Sequence, residues 1–290
     1  MTVEAGRSIG VGEPDLVVLD TPKAATTFAA ERVATILAEA VQARGRADWA
    51  TTGGSIVPCL YRALAHPGFA AAVPWSAVHV WWGDDRCVPP DDPLCNVRPL
   101  EDVLLRSGAI PLPSANLHPF PIDAANADGL SAARAAAQIA ADLRVADLVT
   151  VDGWPVFDLI LLGVGVDGHV LSVFPGSSAF ESTDWALPIP APTHIAPHVE
   201  RMTLNPAILG VARSLLVVAT GAAKATILAD VLGGAHDPRR WPAQLARRPG
   251  ATWIFDEAAA ADLPPRVRQR DLLDAPGADP TRRTVSSLPD

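Results

Sequence analysis

No apolar run in this chain approaches the roughly 18 residues that a membrane-spanning helix needs. Its opening lacks the pattern of a signal peptide, so a cytoplasmic location is expected. A long basic run is missing too, and the formal net charge is −9. That argues against a nucleic-acid surface but still allows a small basic pocket for an anionic metabolite. Cysteine is scarce: Cys59, Cys87 and Cys95 are an odd number without metal-ligand spacing. They read as reduced, buried small hydrophobes rather than disulfides or a metal site. No internal repeat is visible, and no glycine turn is followed by the Gly-Lys-Ser/Thr of a Walker loop.

What is present is apolar material, 49% of the 290 residues, enough for a sizeable core in one large α/β domain or two small ones. The stretch FDLILLGVGVDGHVLSVFPG, 157–176, is central. Its apolar run Leu159 to Leu162 suits a strand buried on both faces. Gly163 and Gly165 stop the strand, and Asp167, Gly168, His169 and Ser172 follow at once. In open parallel sheets this C-terminal edge is where ligands bind. Gly163, Gly165 and Gly168 also match G-x-G-x-x-G, but Pro175 limits the following helix to a turn or two, which disfavours a dinucleotide site. Either Asp167 caps a helix and His169 is a surface residue, or His169 is a general base with Asp167 as its partner.

Other segments repeat the pattern. A strand from Leu16 to Leu19 precedes a helix over 23–42, with Thr21 as cap and Pro22 at its first position. A second strand ends in Gly53, Gly54 and Ser55 before an apolar-periodic helix, either an anion site or an ordinary tight turn. AVHVWW, 77–82, ends in Gly83, Asp84, Asp85 and Arg86. His79 reads as a core histidine, and Asp85 as a cap or a partner of Arg86. Asn96 is expected to open a helix to about Arg106. Residues 108–122 look irregular, 125–146 helical and 177–199 loop-like, where His194 and His198 do not suggest a metal. SLLVVAT, 214–220, is a buried strand ending at Gly221, with Lys224 one turn into the next helix, near enough to reach an anion or simply solvated. Residues 251–255 form the last strand. Residues 1–12 are expected to be loose, 13–262 to form a single domain and 263–290 a polar, mobile tail. The alternation predicts an α/β fold with a doubly wound, mainly parallel, Rossmann-like sheet flanked by helices.

Five ordered blocks carry a resemblance: TTGGSIVPCLYRAL, WWGDDRCVPPDDPLCNVRPLEDVLL, FDLILLGVGVDGHVLSVFPG, RMTL and VVATGAAKATIL. Over roughly residues 15 to 262 the chain resembles the 6-phosphogluconolactonase family, whose wider superfamily includes glucosamine-6-phosphate deaminases and sugar-phosphate-sensing domains. The resemblance implies a lactone hydrolase of the oxidative pentose phosphate pathway. His169 would be the general base and Asp167 its support. Gly53, Gly54, Ser55, Arg201 and Lys224 would hold a phosphate, and Asp84 and Arg86 would line the sugar end, Arg86 also being a candidate for the oxyanion. It implies a small sugar-phosphate substrate and no cofactor or metal. From charge and hydropathy no nucleic-acid or membrane partner is expected, and the chain is expected to be a monomer. Departures are Asp85 for glutamate, and Ile56 and Asn205 for threonine. A deaminase would carry glutamate where Phe174 stands. A sensor would usually follow a DNA-binding module, which the sequence does not show.

Overall fold

The computed structural model describes residues 13–122 and 131–268. The expected loose segment 1–12, the start of the alanine-rich helix at 125–130 and the tail 269–290 lie outside the described residues. Among the described residues the strands are β1 (Asp15–Leu19), β2 (Ala47–Thr51), β3 (Val78–Trp82), β4 (Asp84–Arg86), β5 (Leu117–His118), β6 (Thr150–Val151), β7 (Trp154–Pro155), β8 (Leu159–Leu162), β9 (Ala186–Ile189), β10 (Arg201–Leu204), β11 (Ser214–Ala219) and β12 (Ala251–Asp256). Seven form one sheet in the order β1-β12-β11-β8-β2-β3-β5, with every pairing parallel. From β2 the chain builds outward through β3 and β5. It then returns to the other side of β2 with β8 and continues through β11 and β12. The strand order therefore switches direction between β2 and β8, and a crevice opens beyond their C-terminal ends.

The helix Pro22–Arg44 begins where the sequence places it. Thr21 Oγ1 accepts the N–H of Ala24, and Gly45 closes the other end at φ +74°. Its buried face is mostly alanine, from Ala25 to Ala40, so the helix can approach the sheet closely. Leu159 to Leu162 are wholly buried, as expected of a strand covered on both sides. Trp49, Trp75, Trp81, Trp82 and Trp253 dominate the core by size. Four of their indole N–H groups donate to Ala70 O, Asp48 Oδ1, Asn96 O and Ala246 O, so burial of these large rings leaves few polar atoms stranded. The chain stays packed past 262: Leu263 is buried and Pro265–Arg268 is helical.

Three segments differ from expectation. Residues 177–199 contain β9, which joins β10 and β4 in a separate antiparallel sheet. Pro188 hides this strand in the sequence, yet β9 pairs only with β10, and an edge strand tolerates a residue without an N–H. Residues 108–122 contain β5, a two-residue edge strand too short for any periodicity to show. No helix follows Gly168. The chain instead makes consecutive turns closed by a bridge between Val170 and Val173, with Leu171 in the left-handed region at φ +55°.

Candidate active site

The cleft beyond β2 and β8 is lined by turns that leave three strands of the main sheet and by residues of the small sheet. After β2 come Thr52, Gly53, Gly54 and Ser55, and after β8 come Gly163, Val164, Gly165 and His169. Thr220 and Lys224 follow β11, while Asp84, Arg86 and Arg201 arrive on β4 and β10 of the small sheet. Of the residues given a catalytic or substrate-binding role from the sequence, all line this cleft except Asp167, which is bonded to His169.

Asp167 and His169 are joined by a bond of 2.5 Å between Oδ1 and Nδ1, and Oδ1 also accepts the His169 backbone N–H at 3.2 Å. A carboxylate can only accept here, so Nδ1 carries the proton and Nε2 of neutral His169 keeps a lone pair. Burial opposes the charge on Asp167. The hydrogen bonds from His169, the charge its imidazole carries when protonated and a further bond from His194 outweigh it and hold the carboxyl well below the usual carboxylate range. The turn needs glycine: a Cβ on Gly165 would lie 2.1 Å from His169 Nδ1. Phe174, seven residues past Asp167, packs its ring 4.7 Å from that of His169.

The opposite wall is built around a residue the sequence reading misplaced. Asn96 does not cap a helix: Val97 flanks the first helical turn, Arg98–Leu100, which widens into a π-type turn over Glu101–Leu105. Asn96 is buried, its Nδ2 donating to Asp84 O at 2.8 Å and its Oδ1 accepting from Arg86 Nη1 at 2.5 Å. It also explains Gly53, since a Cβ there would fall 1.7 Å from Asn96 Oδ1. Its spacing from Arg86 carries no helical or strand period, so only the fold brings the two together. Asp84 receives the hydroxyl of Ser172 at 2.6 Å. Asp85 is fully buried and takes the backbone N–H of Arg86 and of Asn96, at 2.7 and 2.8 Å, instead of the Arg86 guanidinium. Burial raises its carboxyl to about 7 against those two hydrogen bonds.

The cationic side is equally constrained. Lys224 reaches across from the short 3-10 turn Ala222–Lys224 and donates to Val164 O at 2.6 Å, and burial lowers its ammonium from the usual range. Arg201 is buried with its guanidinium 5.2 Å over the Phe174 ring. No side chain caps the helix Val57–Leu64 after the Gly53–Ser55 turn. Of the departures from the family pattern, Ile56 provides no hydroxyl at that turn. Asn205 is structural: it ties Ser182 O and Asp184 O and caps the N–H of Ala207. His194, for which the sequence offers only an argument against a metal, donates from Nε2 to Asp167 Oδ2 at 2.7 Å. Among the described residues no three His, Cys, Asp or Glu side chains are grouped to hold a metal ion, and no helix is long and apolar enough to cross a membrane.

A parallel sheet with an acid–histidine pair and convergent cations at its C-terminal edge defines a site for an anionic small molecule. Residues 20–255 match the family described as glucosamine-6-phosphate isomerases/6-phosphogluconolactonase, and the chain belongs to it. It is 32% identical to a 6-phosphogluconolactonase of Synechocystis over 80% of this chain and 91% of that one. It is 35% identical to one of Mycobacterium tuberculosis over 81% and 93%. Among solved structures, a 6-phosphogluconolactonase from Trypanosoma brucei superposes with a TM-score of 0.75 at 26% identity, covering 87% of this chain and 100% of the other. A monomeric glucosamine-6-phosphate deaminase shares the fold, with a TM-score of 0.68 at 17% identity.

Proposed function

We propose that the protein hydrolyses 6-phospho-D-glucono-1,5-lactone to 6-phosphogluconate, a step of the oxidative pentose phosphate pathway, with His169 activating water. The observation that carries the mechanism is the 2.5 Å bond from His169 Nδ1 to Asp167, which leaves Nε2 as the basic nitrogen on the wall of a cationic cleft. Relatives of the same length class bearing the lactonase name support the choice of substrate.

In this mechanism Nε2 takes a proton from water as its oxygen bonds to the lactone carbonyl carbon. The carbonyl oxygen becomes the oxyanion of a tetrahedral intermediate, which Arg86 stabilises in this scheme. The bond to the ring oxygen then breaks, and the imidazolium returns its proton to that oxygen, which becomes a hydroxyl. One water is consumed and nothing is oxidised. Asp167 orients the imidazole and supports its charge. Gly53, Gly54 and Ser55, with Lys224 and Arg201, hold the phosphate, and Asp84 and Arg86 line the sugar end. The enzyme works in this account as a cytoplasmic monomer without a cofactor.

Deaminase chemistry is disfavoured because the position that would carry its glutamate holds Phe174, whose ring fills the space beside His169. The test supplies freshly made 6-phosphogluconolactone and, separately, glucosamine 6-phosphate. Hydrolysis of the lactone well above its spontaneous rate, with no ammonia from the amino sugar, is expected. Ammonia release without lactone hydrolysis would reverse the assignment.

A further inference from the structure

Asp167 is held from two sides, and only one of them belongs to its own turn. Oδ1 takes Nδ1–H and the backbone N–H of His169. Those bonds engage only Oδ1 and leave the second oxygen unheld. Oδ2 takes Nε2–H of His194, which comes from the segment between β9 and β10, 27 residues away in sequence. That segment is itself tied, His198 Nδ1 donating to Pro192 O at 2.7 Å and Arg201 Nη2 to Pro197 O at 3.3 Å. The next residue, Ile195, lines the cleft. Phe174 packs against both imidazoles, edge-on to His194 at 5.5 Å and tilted to His169 at 4.7 Å. Two histidines, one carboxylate and one aromatic ring therefore form a single packed unit.

We propose that His194 is a positioning residue for the hydrolysis, fixing the Asp167 carboxylate from Oδ2 so that Oδ1 stays aligned on His169. This rests on the roles given above to Asp167 and His169. The competing account is an idle surface pair, because the His194 side chain is 49% exposed and exposed pairs contribute little. Against it, the Asp167 side chain is only 16% exposed, so the bond forms at a half-buried carboxylate that already serves the reacting histidine. His194 touches neither water nor lactone in this scheme; it acts only through Asp167.

A double-mutant cycle separates the accounts. Turnover and KM are measured for the wild type, His194→Ala, Asp167→Asn and the double variant, with His194→Gln as the conservative replacement. His194→Ala should lower kcat about tenfold, the order of one charge-assisted hydrogen bond, and leave KM within about twofold. Asp167→Asn should lower kcat, and adding His194→Ala to it should cost at most a further factor of about two. His194→Gln retains an N–H donor and should recover most of the loss. Wild-type kcat in His194→Ala, with Asp167→Asn still impaired, would overturn the role of His194 alone. A full tenfold loss repeated in the Asp167→Asn background would also overturn it, since His194 would then act elsewhere. Unchanged kcat in Asp167→Asn would remove both this inference and the role of Asp167 on which it rests.

Discussion

The two ends of the main sheet carry similar residues in opposite conditions. At the N-terminal end, before β2, β8 and β11, charges are mutually satisfied. Asp158 takes Arg44 Nη2 at 2.7 Å, Arg213 Nε at 3.3 Å and the Asp48 N–H at 2.8 Å. Arg46 holds both oxygens of Asp48, which also receives Trp81 Nε1. Even the histidines there bond to one another, His79 Nδ1 to His118 Nε2 at 2.9 Å, with His118 stacked on Trp81. At the C-terminal end, two of the four buried side-chain nitrogens without a partner among the described residues are Arg86 Nε and Arg201 Nε. Its histidines are organised around one carboxylate instead of around each other. Charge at the first end closes the structure; charge at the second is held ready for something else. Density of charge does not distinguish a site from a scaffold, but the degree of mutual satisfaction does.

The sharpest way to break this contrast is to remove one histidine from each end. His169→Asn keeps a polar side chain of similar size that cannot take a proton, and kcat should fall about 10²–10⁴-fold. His79→Gln should leave kcat within about twofold, because it lies at the opposite end of β3 from the cleft. Comparable losses in both would mean that His169 acts structurally and that the proposed base must be sought elsewhere.

Next in size is the phosphate. Lys224→Ala removes one charge-assisted contact, and substrate binding should weaken by about 1.5–3 kcal/mol with kcat little changed. Gluconolactone without phosphate should be a poor substrate for the wild type. Equal turnover of both lactones at low concentration would contradict a phosphate site at Gly53–Ser55. For the scaffold end, Asp158→Asn should lower stability by about 1–2 kcal/mol, since Arg44 and Arg213 lose their carboxylate but remain partly solvated. A chemical denaturation midpoint reports that loss, and the activity of the folded fraction should be intact.

The contrast also bears on what could be read from residues alone. Strands ending in glycine before polar clusters are legible because periodicity and turn chemistry are local, and the turns after β2, β8 and β11 are placed this way, whereas Arg201 enters only through the family resemblance. His194 and Asn96 were not, because each acts through a partner that only the fold brings near. His194 showed merely that no metal spacing was present, and Asn96 looked like a helix opener because Asn is common there. β9 was hidden by Pro188, and β5 by its length. The paired histidines are half legible: His79 reads as a core histidine, but its partner His118 lies in a Pro-rich stretch with no visible strand.

That pair supplies the smallest effect. Burial, the neighbouring His79 and Arg46 lower His118 to about 4, and burial followed by Arg46 lowers His79. The unfolded chain takes up these protons near its ordinary histidine value, whereas the folded chain resists them. Between about pH 6.5 and 4 the unfolded state therefore binds more protons, and stability falls as the pH drops. Because His118 is only half-buried, the full shift overstates the energy, and about 1–2 kcal/mol is expected for the coupled pair. Asp85 works in the other direction in the same window. Its raised value, about 7, means that the folded state takes up a proton first and gains stability on acidification. The wild-type curve alone mixes the two effects. His118→Gln isolates them, since glutamine can still hydrogen-bond to His79 but does not titrate, and Asp85 is unchanged. Urea midpoints measured at pH 7 and pH 4.5 should show the variant losing less stability than the wild type by about 1 kcal/mol. Equal losses in both would mean that the histidine pair takes up its proton without strain, and that the N-terminal end is less closed than its hydrogen bonds indicate.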